Sequence, residues 1–483
     1  MRRILLPVSL AALLPSCGGG GGSPSTPTPS PTPEPASRPN IVFVLTDDLD
    51  LDSVAYMPRL KSLMTDRGTT FTSAFVTTPL CSPSRASILT GQYAHNHGLL
   101  SNQLPLGGFE KWAASGKEQT TIATALKASG YRTIMIGKYM NAYQPGNPPY
   151  VAPGWDDWHA MYSSRSQDPY FDYSFNDNGT ITTYGSRAED YATDVIATKA
   201  VESLQRAETT DTQPFFLYLS VGAPHTPAFR APKYEGQFGG LAAPRTPSFD
   251  EADVSDKPAY VQTFAPFTDR DRKRIDFLYR DRVACLQSVD ELLGRVFQEL
   301  DTLGELGNTL VVFTSDNGFF LSPHRFNRGK GAPYEEAIRV PLVVRGPGVA
   351  AGAVRRELVT NLDFAPTFAA LAGANLQVEA EGRSLTPLLS GSGASDWRRD
   401  FLVEYWQNAE EGDDSAVGIP TWQALRNETT LYADYETGEG ELYDLPRDPF
   451  ELMSQYAAAS SATLAPLEQR LAALKACRGA SCR

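Results

Sequence analysis

Continuous apolar runs punctuate the chain, and each stops at a polar or charged segment. Ile41–Leu45 ends in Thr46-Asp47-Asp48, and Tyr131–Ile136 ends in Gly137-Lys138. Pro214–Val221 ends in Gly222-Ala223-Pro224-His225, and Thr309–Thr314 ends in Ser315-Asp316-Asn317-Gly318. Val340–Arg345 is a further run. Unbroken apolar runs, unlike alternating ones, predict strands covered on both faces. Helical stretches lie between them: Pro58–Asp66, Thr120–Ser129, a helix opened by Asp190–Asp194, and the long Thr268–Leu303. Strands alternating with helices predict an α/β fold, a central sheet sandwiched by helices. From about Trp397 the texture changes to short strand-like runs, Phe401–Trp406, Trp422–Arg426, Leu431–Tyr435 and Glu441–Leu445, before a final helix to about Lys475. The expected organisation is a large domain over 39–395 and a smaller one over 396–483.

In open α/β sheets, sites form beyond the carboxyl ends of the strands. The polar segments after each run are therefore the places to look. Asp47 and Asp48 repel each other unless a cation sits between them, and a hard divalent ion with oxygen ligands is the natural partner. Asp316 and Asn317 offer two more oxygen ligands to complete that site. Lys138, just past a strand end, can act as a point charge for an anion. His225, between two prolines, is held rigidly and carries a group suited to proton transfer near neutral pH.

The stretch Pro79-Leu80-Cys81-Ser82-Pro83-Ser84-Arg85 concentrates chemistry in one turn. Pro83 suits the first turn of a helix. Cys81 is then expected just ahead of the helix N-terminus, where free N–H groups and the helix dipole favour an anion. Arg85, one turn on, adds a fixed cation. A potential nucleophile, a dipole and a guanidinium together describe a site for an oxyanion ester.

Length and composition narrow the picture. A chain of 483 residues exceeds the usual size of a single core, and 41% apolar residues suffice for a sizeable one. The formal net charge of -13 argues against a nucleic-acid partner but leaves room for a local basic pocket. Five cysteines do not make a disulfide scaffold. Cys477 and Cys482 are placed to close a terminal loop in an oxidising compartment, and Cys285 reads as a buried helical thiol. Arg2 and Arg3 precede an apolar run, Ile4–Leu14, that is too short to span a bilayer and reads as a signal peptide. Leu14-Pro15-Ser16-Cys17 resembles a bacterial lipobox, so 1–17 is read as a lipoprotein-like signal with Cys17 the lipidated residue. Residues 18–38, rich in Gly, Ser and Pro, read as a tether. The expectation is an exported protein, either an envelope lipoprotein or a secreted or periplasmic one, touching membrane only through that anchor.

Cys81-x-Pro83-x-Arg85, continued by Ala86-Ser87-Ile88-Leu89-Thr90-Gly91, resembles the signature of the type I sulfatases. The resemblance runs over roughly 39–455. It implies an alkaline-phosphatase-like mixed sheet with a small antiparallel C-terminal subdomain. It also implies that a maturation enzyme oxidises Cys81 to formylglycine, whose hydrate attacks sulfur and later expels sulfate by elimination. Calcium is expected on Asp47, Asp48, residue 81, Asp316 and Asn317. Arg85, Lys138 and Lys330 are expected to contact sulfate, and His225 with Lys330 to protonate the leaving oxygen. Gly137-Lys138-Tyr139-Met140-Asn141 and Pro148–Trp155 resemble the N-acetylglucosamine-6-sulfatase and heparan 6-O-endosulfatase branch, which implies a sulfated carbohydrate substrate.

Many sulfatases have histidine where this chain has Met140, and this leaves the base for the last step open. His97 and Asn141 are expected to touch substrate. His95 reads as a surface loop residue, the role of His324 is open, and the aromatic stretch Trp155–Tyr184 suits a sugar-binding surface. Two other readings are an arylsulfatase, phosphodiesterase or phosphonate hydrolase of the same superfamily, and a surface glycan-binding protein without catalysis. A two-zinc phosphatase fits poorly, because the chain has only five histidines.

Overall fold

The strand Asn40–Thr46 (β1) is buried along its whole length at the middle of a ten-stranded sheet. This computed structural model describes residues 38–162, 169–210, 213–391, 393–409 and 418–483. The signal peptide, the tether and Cys17 lie outside the described residues.

Three more strands matter for the site: Arg132–Lys138 (β2), Phe215–Ser220 (β3) and Thr309–Ser315 (β4). β1 pairs in parallel with β3 on one side and β4 on the other, and β2 pairs in parallel with β3. Leu342–Arg345 runs antiparallel to β4, so the sheet is mixed. The register sets Leu45 opposite both Ser220 and Thr314, and Gly137 opposite Ser220. The segments that follow the four strands therefore emerge together at one edge.

Alternate residues of β1 feed two cores. Val42 and Val44 pack with the long helices Ala192–Thr210 and Asp269–Thr302. Ile41, Phe43 and Leu45 pack with residues of Cys81–Thr90, Ile122–Ala128 and Phe364–Ala372 on the other face. We call these helices, in chain order, α1 (Cys81–Thr90), α2 (Ile122–Ala128), α3 (Ala192–Thr210), α4 (Asp269–Thr302) and α5 (Phe364–Ala372). Each fully buried Val, Leu, Ile or Phe contributes about 1.5–3 kcal/mol. That is why unbroken apolar runs, rather than alternation, mark these strands.

The aromatic stretch takes a different form from that expected. Asp157–Tyr162, Ser174–Asp177 and Thr180–Thr183 extend the sheet beyond β2 as three further strands. Trp158, Tyr170 and Phe175 are fully buried, and Trp155 and Tyr173 nearly so. Most of this aromatic surface is core, and little of it is a platform for a ligand.

The C-terminal runs form a four-stranded antiparallel sheet in sequence order: Asp400–Tyr405 (β5), Trp422–Asn427 (β6), Thr430–Tyr435 (β7) and Gly440–Asp444 (β8). Phe401, Val403 and Trp422 share a core with Phe75, Leu80 and Ile338, so this sheet braces the segment that leads into α1. The last helix, Ser461–Lys475 (α6), packs on β5 and β6. Cys477 and Cys482 form a disulfide, and Cys285 is a buried thiol within α4.

Candidate active site

Every residue of α1 is buried, although the helix carries four hydroxyl side chains and an arginine. Each of the four hydroxyls has a partner. Ser82 Oγ donates to Asn141 Oδ1 at 2.9 Å and accepts from Asn141 N–H at 2.8 Å. Ser84 Oγ accepts from Asn361 at 2.9 Å, Ser87 Oγ meets His97 Nε2 at 3.1 Å, and Thr90 donates to the Ala86 carbonyl at 2.7 Å. Small polar side chains let the backbone of α1 sit deep in the fold. Gly91 ends the helix in the left-handed region (φ 71°), a conformation glycine adopts without strain.

Cys81 is the first residue of α1 rather than a residue ahead of it, and Pro83 is the third. No side chain at the N-cap caps the helix. Asn102 does so from a distance, its Oδ1 accepting from Ser82 N–H at 2.8 Å. Cys81 Sγ lies 3.4 Å from Asp47 Oδ1 and 2.9 Å from Lys330 Nζ. Lys330 also donates to Asp48, and Lys138 donates to Asp47. All of these groups except Lys138 are almost completely buried.

Arg85 ties three strands together. Its Nε donates to Asp316 Oδ2 at 2.9 Å, and one terminal nitrogen donates to the Lys138 carbonyl at 2.8 Å and to Ser220 Oγ at 2.6 Å. The other terminal nitrogen stands 3.6 Å from Asp47 Oδ2. Gly137 permits the close approach of β2 and β3 here: a Cβ on it would lie 1.8 Å from the Ser220 carbonyl oxygen.

The electrostatics follow from this packing. Burial pushes the Asp47 carboxyl up, but Lys138, His225, Arg85 and Lys330 together hold it well below the usual carboxylate range. Asp316 is raised to about 6 by burial and by the charge of Asp47. Burial and Asp47 also raise the Cys81 thiol, so an unmodified Cys81 stays protonated and is a weak nucleophile.

A cation fits this site. Asp48 Oδ2 and Asn317 Oδ1 are buried oxygens with no hydrogen-bond partner, a costly arrangement that a bound ion relieves. Ligand atoms of Asp47, Asp48, Cys81 and His225 lie within 4.8 Å of one another. Two carboxylates of this group, with the buried amide oxygen of Asn317, make it a fit for a divalent metal ion.

His225 Nδ1 donates to the Thr226 carbonyl at 2.5 Å, which leaves Nε2 facing Asp48 Oδ2 at 3.7 Å. A cleft of about 340 Å³ opens on this cluster, and Asp47, Lys138, Met140, Asn141, Tyr162 and His225 are among its lining residues. Asn141 thus meets both α1 and the cleft.

His97 is not among the cleft residues. It is buried behind α1, with Nε2 on Ser87 Oγ and Nδ1 accepting from Leu99 N–H at 3.1 Å. Burial pushes its pKa down to about 3, so the ring is neutral and both nitrogens are spent on structure. His95 also departs from expectation. It is no bare loop residue but part of a short helix, Ala94–His97, with Nδ1 2.9 Å from Glu404 Oε2 and Nε2 3.1 Å from the Cys477 carbonyl.

Sequence reasoning also passed over Arg282. This fully buried residue of α4 donates to the backbone carbonyls of Asp48 and Pro224 and to Asp50 Oδ2. It joins the Asp47-Asp48 turn to the His225 loop. Arg282 follows Arg280 and Asp281, so nothing local in the sequence sets it apart from a solvated helix charge.

An oxyanion-ester site at the carboxyl edge of a mixed sheet is the architecture of an alkaline-phosphatase-like hydrolase. The sulfatase family model matches residues 39–374, and a model of the N-sulphoglucosamine sulphohydrolase C-terminal region matches residues 324–477. The chain belongs to the sulfatase family. It is 33% identical to N-acetylglucosamine-6-sulfatase of Homo sapiens, over 92% of this chain and 86% of the relative. It is 36% identical to the extracellular sulfatase SULF-1 homolog of Drosophila melanogaster over 84% of this chain, but it spans just 37% of that relative's length. A solved structure of a protein in complex with its substrate D-glucosamine-2-N,6-O-disulfate superposes with a TM-score of 0.75 at 26% identity, over 91% of this chain and 97% of that one. A phosphonate monoester hydrolase from Silicibacter pomeroyi shares the fold at a TM-score of 0.70, with 23% identity over 92% of this chain and 96% of that one.

Proposed function

We propose that the chain hydrolyses sulfate esters, with 6-O-sulfated N-acetylglucosamine in glycans as its substrate. The observation that carries this reading is the position of Cys81: at a helix start, 2.9 Å from Lys330 Nζ and 3.4 Å from Asp47, within a buried cluster of opposed charges. The relatives named for N-acetylglucosamine-6-sulfatase support the choice of sugar. So does a cleft that offers the amide of Asn141 and the half-buried ring of Tyr162.

Residue 81 is the nucleophile, matured by a formylglycine-generating enzyme, as its place in the Cys81-x-Pro83-x-Arg85 signature of the family implies. The oxidised residue supplies a hydrated aldehyde with a second hydroxyl through which sulfate can leave. Asp47, Asp48, Asp316 and Asn317 with residue 81 hold calcium, which supplies positive charge to the sulfate oxygens and the nucleophile. Lys138 and Lys330 add two further cations for the sulfate. Arg85 keeps α1, β2 and β3 in register around them. His225, its ring oriented by the bond from Nδ1 to the Thr226 carbonyl, acts in its doubly protonated form and gives the leaving sugar oxygen the proton on Nε2. Export through the N-terminal signal, and a lipid on Cys17, belong to the same proposal. Among the described residues no helix is long and apolar enough to cross a membrane.

The deciding experiment measures sulfate release from position-defined sulfated sugars, an aryl sulfate and a phosphodiester. The protein is co-expressed with a formylglycine-generating enzyme, and Cys81→Ala is the control. Release from 6-O-sulfated glucosamine alone, lost in the control, is the expected outcome. Release confined to the phosphodiester overturns the sulfatase reading, and release confined to the aryl sulfate overturns the choice of sugar.

A further inference from the structure

Three buried polar atoms outside the active site converge on one point: His324 Nε2, Glu336 Oε2 and Glu451 Oε1. None has a hydrogen-bond partner, and ligand atoms of the three residues lie within 4.8 Å of one another. His324 is 0% exposed and Glu451 1%. They come from separate places: the loop after β4, the short helix Glu335–Ile338, and the turn after β8. His324 (φ 47°) and Glu451 (φ 54°) both occupy the left-handed region, a conformation that costs free energy in non-glycine residues and clusters at functional positions.

The second atom of each side chain is engaged. His324 Nδ1 meets Glu251 Oε2 at 2.6 Å, Glu336 Oε1 accepts from Ser248 Oγ at 3.3 Å, and Glu451 Oε2 accepts from Glu335 N–H at 3.0 Å. A carboxylate on the far nitrogen of a histidine is the arrangement that aims the other nitrogen at a metal.

We propose that His324, Glu336 and Glu451 form a second metal site, distinct from the cation site beside Cys81, and that it takes a transition-metal divalent ion of the zinc class. One imidazole with two carboxylates suits such an ion, whereas calcium and magnesium prefer all-oxygen sets. A cavity of about 190 Å³, lined by Asp50, Asp52 and Arg339 but also by Phe319, Leu321 and Phe450, reaches Glu336. The ion pins the loop that carries Lys330 to the C-terminal subdomain. The competing occupant is a proton shared by Glu336 and Glu451.

The test uses the full chain, dialysed with excess calcium to fill the first site and then exposed to zinc. Elemental analysis is expected to find about one zinc per chain in the wild type and none in His324→Gln or Glu451→Gln. Glu251→Gln, which removes the carboxylate behind His324 and its ion pair with Lys257 but no ligand, is expected to weaken zinc binding about 10- to 100-fold. Zinc-free wild type, or full zinc retention by Glu451→Gln, overturns the proposal in favour of the shared proton. Should the variants fail to fold, anomalous scattering at the zinc edge from wild-type crystals decides. A peak between His324 and Glu451 supports the site, and no peak there overturns it.

Discussion

Lys330 Nζ stands 2.9 Å from Cys81 Sγ and also donates to Asp48. One buried cation therefore touches both the residue read as nucleophile and a carboxylate of the cation site. Lys330→Ala is expected to lower kcat about 10²-fold or more with a smaller change in KM, because the charge acts where negative charge develops. Steady-state kinetics on a 6-O-sulfated sugar check this. A change confined to KM would place Lys330 in ground-state binding alone.

Position 81 separates the chemical options. Cys81→Ala should abolish sulfate release while leaving the fold intact, since Cys81 is a small buried side chain at a helix start. Cys81→Ser should not turn over steadily, because a serine ester lacks the second hydroxyl through which sulfate leaves. Intact-protein mass spectrometry after incubation with substrate, together with sulfate counted per enzyme, reads the outcome. Multiple turnovers by the serine variant would overturn the covalent scheme.

Removing the cation should expose the cost of packing Asp47, Asp48 and Asp316 together. Chelation is expected to abolish activity and lower thermal stability, with calcium restoring both. Asp47→Asn should weaken calcium binding and also unpair Lys138. Calorimetric titration of calcium into the chelated protein, wild type against variant, measures the first effect directly. Equal affinity in the two proteins would remove Asp47 from the ligand set.

Arg282 is a positioning residue of the same site. Arg282→Gln strips two backbone carbonyls and Asp50 of their buried donor, and such losses cost about 3 kcal/mol. Urea unfolding measures this cost. At temperatures where the variant is folded, kcat should still fall, because Asp48 and His225 lose their common brace. Unchanged kcat would reduce Arg282 to a stability role.

His97 predicts a pH dependence of stability. Its folded pKa is lowered to about 3 from an unfolded value near 6.5. Between these values the unfolded chain binds the extra proton, so stability falls as pH falls through this window. The loss is about 2 kcal/mol at pH 5 and is complete near pH 3. Urea midpoints at pH 7 and pH 5 should differ less in His97→Gln than in the wild type.

Much of this was legible in the sequence, for physical reasons. Unbroken apolar runs such as Ile41–Leu45 belong to strands covered on both faces. Asp47, Lys138, His225 and Asp316 sit where a parallel sheet must deliver them, past its strand ends. The motif around Cys81 is local, because helix start, nucleophile and arginine share one turn. Tertiary structure decided the rest. His97 and His95 are two residues apart on one short helix, yet one is buried behind α1 and the other is bonded to Glu404. The partners of His97, Ser87 and Leu99, are near in sequence, whereas those of His95, Glu404 and Cys477, lie far along the chain. The aromatics from Trp155 to Tyr184 suited a sugar-binding surface or a loop-rich insertion, and the strands added at the sheet edge bury most of them in the core. Arg282 and the His324–Glu336–Glu451 cluster left no local signal, since their meaning lies in contacts across many tens of residues. Sequence determines what a segment can form and which groups it carries to its end. Which groups then share one low-dielectric space is decided by packing alone.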